Sequence, residues 1–185
     1  MTHSFKTPRL LLRRLTGADA GELLQTTGDP SVMRYWAPGP DVNEAQSAER
    51  IAQINEHWRR YGFGDWGVCE PLSGRLIGFC GLHHIVGMDE VNVGYALEPS
   101  RWRQGLGSEL CRYLLRLGFE DLSLTEIVAV IDPRNVASRR LAEKCDLQIW
   151  KCFVWQGNER IAYRVRRGEW EQASVGERRD SSNGT

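Results

Sequence analysis

The sequence predicts an α+β fold, a mixed and mostly antiparallel sheet flanked by helices. Three observations carry that prediction. Asp65 to Ile85 reads as a β-hairpin, two extended runs about the turn residues Pro71-Leu72-Ser73-Gly74. Leu147 to Trp155 and Arg160 to Arg166 read as a second hairpin around Gly157-Asn158. Between them lie a strand pattern (Glu90 to Leu97), a helical pattern and a continuous apolar run (Ile127 to Ile131). Strand, crossover helix and buried strand make a unit whose strands are parallel and joined right-handedly, so the sheet is mixed.

Arg9 to Leu15 is a short apolar run bounded by Pro8 and Gly17, which suits a strand better than a helix. Thr16 stands as an N-cap, with Asp19 three residues on, ahead of a short helix carrying Leu23 and Leu24. Asp29-Pro30 marks a break. A second helix starts after Asn43 and runs to about Tyr61, because Ile51, Ile54 and Trp58 share one helical face, and Gly62-Phe63-Gly64 ends it. In Glu90 to Leu97, Val and Tyr alternate with smaller residues until Pro99 stops the run. Leu106, Leu110, Leu114 and Leu117 recur at helical spacing, so a long helix follows Gly105. Asn135 to Lys144 gives a further short helix. From Ala173 onward Gly, Glu, Arg, Asp, Ser and Asn dominate, the composition of a frayed tail. One domain over residues 1–172 and a disordered tail over 173–185 are expected.

Charge and cysteine usage bound the function. With 24 basic and 24 acidic side chains the formal charge is zero, which leaves no long-range field for nucleic acid or an anionic membrane. No stretch approaches the roughly 18 apolar residues of a membrane span, and Met1 to Arg14 lacks a signal-peptide core, so a cytoplasmic protein is expected. Five cysteines without Cys-x-x-Cys spacing suggest neither a disulfide framework nor a metal site, but reduced and buried thiols.

Chemistry concentrates in Trp102-Arg103-Gln104-Gly105-Leu106-Gly107-Ser108-Glu109, where a strand feeds the start of a helix. The first helical turn leaves backbone N–H groups unpaired and carries a partial positive charge, so anions are favoured there. Gly105 and Gly107 remove the side chains that would keep a diphosphate from those amides. The spacing by itself is weak evidence, since chance alone gives roughly two Gly-x-Gly triplets in a chain of this glycine content. A P-loop would need Gly-Lys-Ser/Thr, and a dinucleotide fingerprint a third glycine where Leu110 stands.

The stretch Asn92-Val93-Gly94-Tyr95 through Trp102-Arg103-Gln104-Gly105-Leu106-Gly107-Ser108 resembles the acetyl-CoA motif of the GNAT N-acetyltransferases, and within them the ribosomal-protein N-terminal acetyltransferase branch. Pro8 to Leu15, Ile77 to Leu82 and Asp132 to Lys144 are similar to further blocks of that branch, in the same order, and the likeness spans Thr7 to Trp170. The resemblance implies the acyl-CoA N-acyltransferase fold, in which the strands corresponding to Glu90–Leu97 and Ile127–Ile131 splay apart and the pantetheine arm pairs with the first of them. It also implies acetyl-CoA as co-substrate and no metal. Val93, Gly94 and Tyr95 would meet the pantetheine, Trp102 to Ser108 the diphosphate, and Asn135 with Ser138 the sulfur region. Gly94 fits independently, because a glycine inside a strand marks a bulge or the close approach of another backbone. Two departures stand out. Arg103 occupies a position where that branch commonly has Gly, and either pairs with a phosphate or faces water. Asn92 occupies a position where many members carry a glutamate base, and Asn cannot take a proton. For Asn135 and Ser138, capping of their own helix is the alternative to ligand contact.

The implied reaction is attack of a neutral primary amine on a thioester in a ternary complex. It needs donors for an oxyanion, placed by the resemblance in the backbone near Tyr95, and a proton for the leaving thiolate, with Ser138 nearby. An α-amine has a pKa near 8, so about a tenth is already neutral at pH 7 and a weak base suffices. Glu90, on the face of the strand that carries Asn92, and His83 or His84 are the base candidates. The acceptor, a small-molecule or a peptide or protein amine, would meet Tyr35, Trp36, Asp65, Trp66 and His83. A non-catalytic acyl-CoA-binding module and transfer of a different acyl group are the competing readings. The last hairpin offers an edge on which a homodimer would form.

Overall fold

A computed structural model describes residues 4–173. The expected tail lies outside the described residues apart from residue 173. The chain divides into two compact units, one comprising the residues up to His83 with Val93–Leu114, the other His84–Asn92 with the residues from Leu115 onward.

The first unit contains β1 (Ser4–Lys6), β2 (Leu11–Arg13), α1 (Ala20–Thr27), α2 (Pro30–Met33), α3 (Glu44–Tyr61), β3 (Asp65–Cys69), all but the last residue of β4 (Leu76–His84), most of β5 (Val91–Leu97) and most of α4 (Leu106–Arg116). Its strands lie in the order β1-β2-β3-β4-β5. Strand β1, with Phe5 opposite Leu12, is one the sequence pattern does not reveal, because three residues carry no readable period. Thr16 and Asp19 form the expected capping pair: the Asp19 carboxylate accepts from the Thr16 N–H at 2.7 Å and also holds Arg13. Asn43 caps α3 by accepting from the Gln46 N–H at 3.0 Å, and Ile51, Ile54 and Trp58 are its buried face. In α4, Leu106, Leu110 and Leu114 are buried. Burying each leucine is worth about 2 kcal/mol, and this face holds the helix down while its start stays accessible.

Strands β4 and β5 approach closely at Gly78, where an added Cβ would stand 2.1 Å from the Ala96 carbonyl oxygen. Only glycine tolerates that contact, and the Glu98 N–H then bonds the Ile77 carbonyl at 3.0 Å, fixing where β5 ends.

The second unit contains the first two residues of β5, then β6 (Glu126–Ile131), α5 (Val136–Lys144), β7 (Gln148–Trp155) and β8 (Asn158–Arg166). Its strand order is β5-β6-β8-β7. The ladder between β5 and β6 is parallel and one residue pair long, Asn92 opposite Val128, whereas β6/β8 and β8/β7 are long antiparallel ladders. The fold is thus α+β with a mixed, mostly antiparallel sheet and a splayed β5/β6 pair, as the sequence predicts. The last turn differs in detail: Gln156 and Gly157 take positive φ of 48° and 73°, and Asn158 already belongs to β8. A wider helical turn at Leu117–Asp121 and a helical segment at 167–173 are additions to the sequence reading.

Candidate functional site

The junction between β5 and α4 is braced on both flanks. On the first, the Glu98 carboxylate accepts both terminal nitrogens of Arg75 at 2.9 and 2.8 Å, the Ser100 hydroxyl at 2.7 Å and Arg101 Nε at 3.2 Å. The Arg75 hydrogen bonds foremost, against the cost of burial, hold the Glu98 carboxyl down at about 2. Arg75 and Arg101 also pair with Glu70, so the β3–β4 turn is tied to the same point. Pro99–Arg101 form one tight turn, and the Trp102 indole N–H then reaches back to the Leu97 carbonyl at 2.8 Å.

On the second flank Arg9, just before β2, donates from Nε to Glu109 Oε2 at 2.6 Å and from Nη1 to the Gln104 carbonyl at 2.7 Å. Its backbone N–H and the Thr7 hydroxyl both reach Glu109 Oε1, at 3.0 and 2.5 Å. Burial opposes ionisation of Glu109, and these hydrogen bonds from Thr7 and Arg9 outweigh it, lowering the carboxyl below its usual range.

Between the flanks, Trp102, Arg103, Gln104 and Gly105 are exposed. Arg103 has φ of 60° and Gly105 φ of 76°. The left-handed backbone explains why glycine suits position 103; Arg there carries a strain of about 1 kcal/mol. Gln104 is pinned by its own amide, which donates to the Ser100 carbonyl at 2.8 Å. Among the described residues, a Cβ on Gly105 would find a single neighbour within 4 Å, Arg9 Nη2 at 3.6 Å. The result is an open backbone cradle at the positive end of α4, with Gly107 and Ser108 in the first helical turn and the Leu106 side chain buried beneath. A diphosphate fits such a cradle.

The family model for the acetyltransferase (GNAT) domain matches residues 9–148, most of the chain and all of this junction. The chain belongs to the GNAT acetyltransferase family. An uncharacterised N-acetyltransferase of Bacillus licheniformis, p20, is 30% identical over 146 residues, covering 77% of this chain and 80% of that protein. An Aspergillus fumigatus protein named FsC-acetyl coenzyme A-N(2)-transacetylase is 27% identical over 162 residues, covering 77% and 67%. The solved ribosomal-protein-S5-alanine acetyltransferase of Vibrio fischeri shares the fold with a TM-score of 0.72 at 16% identity, over 90% of this chain and 98% of that one.

Of the other donor-side residues expected in this family member, Val93 and Gly94 are buried in β5 and Tyr95 is half-buried. The Val93 side chain lies in the core, so what it can present to a ligand is backbone. In the second unit, side chains singled out for chemistry have structural tasks. Asn92 is buried, and its Oδ1 accepts the Val130 N–H at 2.9 Å, closing the ladder beside its pairing with Val128. The amide oxygen of Asn92 is thus engaged with a backbone N–H inside the sheet. Glu90 faces Lys151 Nζ at 3.4 Å. Asn135 is the N-cap of α5, its Oδ1 accepting the Ser138 N–H at 3.1 Å. Asp132 beside it is held down at about 2, chiefly by hydrogen bonding from Arg134.

On the acceptor side Trp66 requires a correction. It is 1% exposed, with Phe5 and Trp58 packed edge-on at 5.7 and 4.7 Å, and so belongs to the core of the first unit rather than to a substrate wall. Trp36 is half-buried against Phe79 at 5.2 Å, and Tyr35 is half-buried with Arg34 over its ring. Asp65 and His83 form a pair, with Nδ1 to Oδ1 at 3.0 Å. Burial disfavours the protonated imidazole, but Asp65 outweighs it by charge and hydrogen bonding, so His83 binds its proton more tightly than an ordinary histidine. The sequence reading named both residues but not their pairing, nor the Arg9–Glu109 brace. Of the cysteines, Cys152 is exposed and the other four are buried.

Proposed function

We propose that this protein transfers an acetyl group from acetyl-CoA to a primary amine, of a protein N-terminus or a small molecule. The observation that carries the reading is the exposed glycine cradle at the start of α4, braced on both sides. Backbone N–H groups of Gln104, Gly105, Gly107 and Ser108 hold the diphosphate, and preorganisation by Arg9, Glu98 and Arg75 spares the ordering cost on binding. Arg103 faces water or a phosphate without being essential to this arrangement.

Bound acetyl-CoA supplies the activated acyl group. The backbone of β5 near Tyr95 provides the oxyanion donors. For the proton of the amine, the His83–Asp65 pair on β4 and β3 is a better acceptor than Glu90, which is engaged with Lys151. A carboxylate only accepts hydrogen bonds, so Asp65 fixes the Nδ1–H tautomer and leaves Nε2 as the basic atom of His83. The relatives' names point to amines of two kinds, an N(2) amine and a ribosomal-protein alanine.

Release of CoA thiol, followed across peptide N-termini and small primary amines, tests the reading. Amine-dependent thiol release supports it. Tight acetyl-CoA binding with no amine accelerating release leaves a binding module instead. With an aromatic amine, which stays neutral throughout, the rate falls on the acid side as His83 becomes protonated, with a midpoint above the ordinary value of about 6.5. Asp65→Asn removes the interaction that raises it and moves that midpoint down. An unmoved midpoint eliminates His83 as the acceptor.

A further inference from the structure

We infer that Arg9 is itself a binding residue of the donor site, meeting a phosphate of acetyl-CoA across the face of Gly105; this rests on the reading of the junction just given. Arg9 is 50% exposed, yet it is held from several directions. Glu109 takes its Nε and its backbone N–H, and the Gln104 carbonyl takes Nη1. Holding a long, half-exposed side chain in one geometry costs rotamer entropy that a surface ion pair scarcely repays. The remaining nitrogen, Nη2, has no hydrogen-bond partner among the described residues and is the one atom near the open side of Gly105, 3.6 Å from where a Cβ would stand. A guanidinium offers donors in a fixed fork: Nε and Nη1 are spent here on protein oxygens, and Nη2 is the nitrogen that borders the cradle.

Glu109 fits the same account. A carboxylate in the first turn of α4 would repel a diphosphate, but the Thr7 hydroxyl and Arg9 spread its charge over three hydrogen bonds. The pair presents its cationic side to the cradle. Thr7 and Arg9 lie 102 and 100 residues from Glu109 in sequence, so the chain's N-terminal segment supplies one wall of a site otherwise built by the β5–α4 junction.

The test compares wild type, Arg9→Met and Arg9→Lys for acetyl-CoA affinity by calorimetry, and for kcat and KM with acetyl-CoA and with S-acetyl-pantetheine, a thioester without phosphates. Arg9→Met keeps the apolar stem and should weaken acetyl-CoA binding about 10- to 100-fold, the scale of one charge-assisted hydrogen bond, with KM rising and kcat little changed. Its kinetics with S-acetyl-pantetheine should match wild type, and Arg9→Lys should recover part of the affinity. Unchanged acetyl-CoA affinity in a folded Arg9→Met overturns the inference. Equal losses with both thioesters do so too, because they show a general disturbance of the donor site and no phosphate contact. If wild type binds acetyl-CoA and Arg9→Met is silent, the assignment of Arg9 fails alone. If wild type does not bind acetyl-CoA, the reading of the whole junction fails with it.

Discussion

Two strand-to-helix junctions in this chain both open on an acidic residue and a proline, Glu98-Pro99 and Asp132-Pro133, and differ in how their atoms are engaged. At the β6–α5 junction Asn135 turns inward on its own helix and satisfies the Ser138 N–H, while Asp132 gathers Arg134 and Arg160. At the β5–α4 junction the bracing residues stand to the sides, at Glu98 and Glu109, and the crown from Trp102 to Gly105 is exposed. At the α5 start one donor is met by the helix's own cap; on the proposed reading, the glycine-lined start of α4, flanked by its braces, takes an outside anion.

The contrast can be broken by mutation. Gly107→Trp should have the largest effect: a bulky side chain in the first turn of α4 should weaken acetyl-CoA binding at least about 100-fold, measured by calorimetry on the folded variant. Normal affinity would remove the junction's assignment. Asn135→Ala should act the other way, costing about 1 kcal/mol of stability through the lost cap, a fall of roughly 2–4 °C in melting temperature. Ser138→Ala sharpens the same point, because the cap bond goes to the backbone N–H of Ser138 and survives the change. Its melting temperature should stay as in wild type, and any drop in kcat then reports on the hydroxyl alone.

The parts legible in the sequence are those carried by local pattern. Ile51, Ile54 and Trp58 mark the buried face of α3, and Leu106, Leu110 and Leu114 that of α4, because a 3.6-residue period is written in a single segment. The turn into α4 was legible for a related reason: it needs glycine, and Gly105 sits at positive φ. Strand β1 was not legible, since its order comes from pairing with β2. Side-chain roles were legible only as residue types. Trp66 had the chemistry of a substrate wall and is core; His83 and Asp65 were separate candidates and are a pair; Arg9 and Glu109 meet across 100 residues, with no local trace. Long-range hydrogen bonds are set by how strands stack, and one segment's period does not encode them.

On the proposed function, backbone amides of the β5–α4 junction hold the diphosphate of acetyl-CoA. Amide hydrogen exchange, read residue by residue with and without saturating acetyl-CoA, tests it most directly. Slowed exchange at Gln104, Gly105, Gly107 and Ser108, with the α5 start at Val136 to Ser138 changing far less, is the predicted result. Acetyl-CoA binding that leaves those four amides exchanging as in the free protein would contradict it.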